Sequence, residues 1–88
     1  MKKPIYALVV HYSFDSETPV YLFDTVEEAQ KELRKQFEEE KRIDTEENCW
    51  NVEEDIDPEW MWASLTNNWD DGSQPDVTEW SIGCVRNR

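Results

Sequence analysis

The sequence predicts an α+β domain in which an antiparallel sheet of about four strands packs against one amphipathic helix. Short segments rich in β-branched and aromatic residues lie on both sides of a single polar stretch with helical periodicity. Residues that favour turns separate these segments. The 88 residues have the length of one domain, spanning positions 1–88. We therefore expect the order strand, strand, helix, strand, strand, with the helix on one sheet face.

The two strands before the helix form a predicted hairpin. Residues 5–14 (IYALVVHYSF) start with apolar side chains on both faces, which is typical of a central strand. The next five residues, DSETP, favour a turn. Residues 20–23 (VYLF) then return as an antiparallel partner strand.

The helix has the clearest start signal in the chain. Asp24 or Thr25 can cap its first turn, and Glu27 or Glu28 follows three residues later, as in a capping box. Apolar residues then recur at spacings of three and four, at Val26, Ala29, Leu33 and Phe37. The other positions are polar as far as Arg42, so only one side of the helix is expected to be buried.

Two further strands are predicted at residues 59–66 (EWMWASLT) and 77–85 (VTEWSIGCV). The segment between the helix and Pro58 has little periodicity, and it can hold a helix end, a loop and a short strand. Residues 67–76 form a turn-rich connection.

The tryptophans of residues 59–66 divide by alternation. The helix is expected to cover the sheet face formed by Leu8, Val10, Met61, Ala63, Leu65, Trp80 and Ile82. Trp60 and Trp62 would then lie on the second face, near Ala7, Val9 and Gly83. Two alternatives follow for that face. Residues 48–57, with Trp50, Val52 and Ile56, fold over it as a second small core, or the two tryptophans remain a contact patch.

The charge of the chain points away from nucleic acid and anionic membranes as direct ligands. Its 21 acidic and 9 basic residues give a net charge of −12. Residues 24–59 hold 15 of the acids and 5 of the bases. This segment is either a solvated face or a surface that steers a basic partner. Its Glu38, Glu39 and Asp55, together with Trp60 and Trp62, are the candidate partner contacts.

No pattern of residues indicates catalysis, a cofactor or a metal. His11 is the single histidine and lies within a predicted strand, without a nucleophile motif. Two glycines cannot form a dinucleotide or phosphate loop. An EF-hand alignment that sets Gly72 at position six fails at Trp69 and Thr78. The protein is therefore expected not to be an enzyme.

The cysteines and the apolar start of the chain predict a cytoplasmic protein. Cys49 and Cys84 form no C-x-x-C or zinc spacing, and we expect both to be reduced, small buried side chains. The apolar run at residues 5–10 is too short for a secretory signal or for a membrane span.

The segments YALVVHYSFDSETPVYLFDTVEEAQKEL and DVTEWSIG resemble a group of small uncharacterised bacterial proteins. These proteins are often carried by mobile or phage-like elements of gram-positive bacteria. The resemblance implies a bacterial cytoplasmic setting and a role in conflict between element and host. It implies no active site.

Two functions are compatible with these observations. The first is a non-enzymatic protein-binding domain, in its simplest form a homodimer through the tryptophan-bearing sheet face. The alternative is an acidic nucleic-acid mimic that inhibits a DNA- or RNA-binding protein, and its binding should weaken with salt.

Overall fold

The computed structural model describes residues 4–48, 52–69 and 72–85, and shows one helix packed on a five-stranded antiparallel sheet. In chain order the elements are β1 (Ile5–Tyr12), β2 (Val20–Phe23), α1 (Val26–Asn48), β3 (Val52–Ile56), β4 (Trp62–Asn67) and β5 (Asp76–Val85). The predicted α+β class is confirmed, with five strands in place of about four. The added strand, β3, lies in the segment of weak periodicity.

The strands lie in the order β2-β1-β5-β4-β3, and each neighbouring pair is antiparallel. The predicted β1–β2 hairpin is confirmed, although β1 ends at Tyr12 and not at residue 14. β1 pairs with β5 from Ile5 to Tyr12, so it is an inner strand, as its two apolar faces predict. β2 and β3 form the two edges of the sheet.

The start of α1 follows the predicted capping pattern, with Thr25 as the cap. The Thr25 hydroxyl oxygen accepts a hydrogen bond from the backbone N–H of Glu28 at 3.2 Å. The Thr25 carbonyl accepts one from the N–H of Ala29 at 3.3 Å. These contacts satisfy donors that a helix start otherwise leaves unpaired. The helix continues to Asn48, beyond Arg42.

The core lies between α1 and one sheet face. Its buried members are Leu8, Val10, Leu33, Phe37, Ala63, Leu65 and Trp80. Phe37 lies edge-on to Trp80, with ring centroids 5.5 Å apart, and the Trp80 indole N–H donates to Gln36 Oε1 at 3.3 Å. The predicted meeting of the helix stripe with this sheet face is therefore confirmed.

Val52 and Ile56 belong to this same core, so their predicted role in a second core over the opposite face is wrong. They lie on the edge strand β3, opposite Asn67 and Ala63 of β4, and this pairing directs them toward the helix. Trp50 lies outside the described residues. Within residues 52–57, no part of the chain folds over the second face.

The expected burial of Cys84 is also wrong. Cys84 is exposed, as are its neighbours Gly83 and Val85, because the core ends before β5 does. Cys49 lies outside the described residues.

Candidate functional site: an uncovered sheet face

The five predicted contact residues lie in two separate places. Trp60 and Glu38 line a groove on the helix side of the sheet. Trp62 and Asp55 lie on the opposite face. Glu39 is exposed on α1, where Arg42 binds it at 2.6 Å and holds the pKa of its carboxyl below the usual range.

Trp60 packs on the helix side, so its predicted position beside Trp62 is wrong. Its ring lies edge-on to Phe37, with centroids 5.8 Å apart, and the guanidinium of Arg34 lies 4.9 Å from its centroid. The strand alternation that placed Trp60 does not apply there, because β4 begins only at Trp62. Trp60 belongs to the loop at residues 57–61 that joins β3 to β4.

Asp57 organises that loop. Its carbonyl accepts a hydrogen bond from the Trp60 N–H at 2.9 Å, and its carboxylate accepts one from the Met61 N–H at 3.0 Å. Gln30 of α1 donates to the Glu59 carbonyl at 2.6 Å. These bonds hold Trp60 at a φ of 59°, the left-handed region, which costs a residue other than glycine roughly 1–2 kcal/mol. The packing of its ring offsets that cost.

We expect Trp60→Gly to be more stable than Trp60→Ala by about 1 kcal/mol, although both are less stable than the wild type. Both variants lose the ring contacts with Phe37 and Arg34, but only alanine keeps the left-handed strain. Urea unfolding of the three proteins measures the difference. Equal stability of the two variants would contradict the left-handed conformation.

The groove beside Trp60 has a volume of about 480 Å³. Phe37, Ile56 and Trp60 line it with apolar surface. At its rim, Lys41 binds Glu54 at 2.8 Å, so opposite charges already compensate each other there. The groove has no unpaired charge cluster that would indicate an ionic ligand.

The sheet face opposite the helix is called the open face here, and its apolar part follows from strand register. Residues directly opposed on antiparallel strands project to the same side of a sheet. Three sets of opposed residues, the apolar rows, cross the sheet: Leu22–Ala7–Gly83, Val20–Val9–Ser81–Trp62 and Ile5–Val85.

The apolar rows expose large side chains to solvent. The exposed fraction is 63% for Leu22, 54% for Val20, 46% for Val85 and 41% for Trp62. None of the residues in these rows carries a charge. These side chains lie on β2, β5 and β4, and the apolar Ile5, Ala7 and Val9 of β1 connect them into one patch. An exposed apolar patch of this kind is often a contact surface.

Two polar rows continue the open face toward β3. They are His11–Glu79–Ser64–Asp55 and Val77–Thr66–Glu53. Trp62 lies at the border, beside a depression of about 260 Å³ that His11, Ser64 and Glu79 also line. The open face is therefore apolar on one side and acidic on the other.

Val20, Leu22 and Val85 were not among the predicted contacts. Alternation in VYLF already places Val20 and Leu22 on one side of β2, but the register that opposes them to Val9 and Ala7 does not follow from a tight turn at residues 15–19. The sequence also does not show whether another segment covers the side of β2 that carries Val20 and Leu22.

The described residues also differ from the patterns of a metal site and of a membrane-spanning helix. Among residues 4–48, 52–69 and 72–85, no three His, Cys, Asp or Glu side chains are grouped as metal ligands are. The helix of this part of the chain is too polar to cross a bilayer.

The fold and the open face together define a small α+β domain with one sheet face covered by a helix and the other exposed. Comparison with protein-family models, with curated proteins and with solved structures finds no match to the chain.

Proposed function

We propose that the protein is a non-enzymatic protein-binding domain whose contact surface is the set of apolar rows on the open face. The observation that supports this proposal is the exposure of Leu22, Val20, Val85 and Trp62 on one sheet face, in rows of residues that carry no charge. Burying apolar surface contributes roughly 25 cal/mol per Å², so a partner that covers these residues gains affinity. The polar rows supply the polar rim typical of protein interfaces.

The cytoplasmic and mobile-element setting implied by the sequence resemblance is part of this proposal. The apolar residues near the start of the chain form the inner strand β1, a role that accounts for their hydrophobicity without a secretory signal.

A nucleic-acid mimic is the second candidate, and the acidic edge of the sheet supports it. Glu53, Glu54 and Asp55 are consecutive and exposed on the outermost strand, β3. Glu54 binds Lys41, so the negative charge presented to a basic groove is that of Glu53 and Asp55 on the open face. Binding of this kind depends on long-range attraction and is lost as salt rises.

One binding experiment separates the two candidates. Immobilised protein is incubated with an extract of a gram-positive bacterium and with its own untagged chain, at about 0.05 M and about 0.5 M salt. Leu22→Glu and Trp62→Glu each alter the apolar rows, and Gln74→Glu adds the same charge at an exposed position in the loop before β5.

Contact through the apolar rows predicts a bound protein that survives high salt, is kept by Gln74→Glu and is lost with Leu22→Glu or with Trp62→Glu, according to which part of the rows it covers. A mimic predicts a bound protein that is lost at high salt and is insensitive to Trp62→Glu. Any salt-resistant ligand retained equally by Leu22→Glu and by Trp62→Glu would contradict the protein-binding proposal.

A further inference from the structure

We propose that the partner on the open face is a second copy of this chain, related by a twofold axis that runs parallel to β1 and above it. This inference rests on the proposed function, since it names the occupant of the same surface. It is drawn from three features of the open face: the order of its strands, the sizes of its side chains and the position of its charges.

Strand order determines which residues meet. β2 and β5 flank β1 on opposite sides. A half-turn about an axis above β1 exchanges these two positions, so that β2 of the second copy lies over β5 of the first. Leu22 and Gly83 are both opposed to Ala7, so Leu22 of each copy comes over Gly83 of the other.

The side chains brought together are complementary in size. Leu22, 63% exposed, projects from β2, whereas Gly83 has no side chain. In the next row Val20 comes over Ser81 in the same way, because both are opposed to Val9. Interdigitation of large and small residues is how two sheets pack face to face.

Gly83 is not required by the fold of its own chain. A Cβ added there meets no atom within 4 Å, and its φ is not in the left-handed region. Glycine within a strand normally weakens it and often marks the close approach of another group. A second copy whose Leu22 occupies the space above Gly83 accounts for a glycine at this position.

The charges of the chain allow this arrangement. A net charge of −12 opposes self-association unless the acids stay apart. With the axis above β1, strands β4 and β3 of the two copies extend in opposite directions. Glu53 and Asp55 therefore lie at the two far ends of the pair and face no strand of the other copy. Glu79 is on β5, which does face the second copy, but it lies two residues beyond Ser81, past the position occupied by Val20 of the other copy.

The size of the surface predicts a weak dimer. Only β2, β1 and β5 of the two copies lie over one another. Three strands about 4.8 Å apart, over about five residues, correspond to roughly 250 Å² of each copy. This is well below the roughly 800 Å² per partner of a standard specific interface, so we expect a weak dimer that forms only as the protein concentration rises.

Sedimentation equilibrium from about 5 to about 500 µM measures the association, a range that brackets weak interfaces of this size. We expect the wild-type mass to rise from 10.6 kDa toward twice that value. Leu22→Glu should remain a monomer throughout. Tyr21→Glu, the matched control, should dimerise like the wild type, because Tyr21 is opposed to Leu8 and projects to the helix side of the same strand.

Gly83→Leu tests the packing geometry. It should leave the fold intact, as checked by circular dichroism, yet weaken dimerisation at least tenfold because it fills the space needed by Leu22. Leu22→Ala combined with Gly83→Leu exchanges the large and small partners and should restore much of the association.

Three results would overturn the inference: a wild type that stays monomeric at every concentration, a dimer insensitive to Gly83→Leu, or equal effects of Leu22→Glu and Tyr21→Glu. If the wild type is monomeric but Trp62→Glu removes binding to a different protein, the proposed function stands and only the second copy is excluded. If neither self-association nor binding of another protein depends on Leu22 or Trp62, both fail.

Discussion

Replacing Leu65 by lysine is expected to unfold the domain, whereas Thr66→Lys, one residue further along β4, is expected to be tolerated. Leu65 is 0% exposed and lies in the core beneath α1. A buried ammonium without a partner costs several kcal/mol, a large part of the roughly 5–10 kcal/mol that stabilises a small domain. Thr66 projects to the open face, opposite Glu53, where a lysine has both water and a carboxylate.

Far-UV circular dichroism and the dispersion of amide proton resonances distinguish the two variants. Thr66→Lys should keep the wild-type spectrum and a stability within about 0.5 kcal/mol of the wild type. If Thr66→Lys unfolds as Leu65→Lys does, the second sheet face is covered, and the account of an open face is wrong.

Phe37→Ala has the next largest expected effect, a loss of about 3–5 kcal/mol in the free energy of unfolding. Phe37 is 2% exposed and contacts the rings of both Trp60 and Trp80, so its removal leaves a cavity between helix and sheet. Phe37→Leu, which refills most of that volume, should lose about half as much.

Urea unfolding followed by tryptophan fluorescence measures both Phe37 variants. A loss below about 1 kcal/mol for Phe37→Ala would show that the helix stripe does not pack on the sheet as described, since surface substitutions have effects of that size.

Local signals in the sequence predict the elements whose residues interact with near neighbours. The Thr25 cap and the stripe from Ala29 to Phe37 depend on contacts within a few residues, and the β1–β2 hairpin joins segments that follow one another in the chain. The core face of β4 also follows from its alternation. The strand order does not, because the pairing of β1 with β5 joins the two ends of the chain.

The sequence allows a short strand at the position of β3 but does not define its bounds, because the segment VEEDI carries three consecutive acids. Acids disfavour strands in general, but at a sheet edge they discourage pairing with another chain. β2, the other edge, is uncharged but only four residues long. The two edges thus disfavour edge-to-edge association, so we expect any association to occur through the open face.

The candidate site was predicted in part. Trp62 lies on the second face, as strand alternation predicts. Trp60 does not, because it belongs to the loop before β4, where strand alternation does not apply. The turn signal was present in Asp57 and Pro58, but it indicates a hairpin only once β3 is recognised. The proposed contact between Leu22 of one copy and Gly83 of the other depends on the strand order β2-β1-β5, which the sequence does not show.

Radical footprinting, which labels solvent-exposed side chains, measures directly whether the apolar rows of the open face are a contact surface. Labelling of Leu22, Val20 and Trp62 is compared between dilute pure protein and protein that is concentrated or mixed with bacterial extract. Tyr21 and Phe14, exposed outside the apolar rows, serve as internal references. Contact through the apolar rows predicts selective protection of Leu22 and Val20 in the concentrated protein, and of Trp62 as well where a different protein covers the face. Equal labelling of these residues under all conditions, relative to Tyr21 and Phe14, would contradict it.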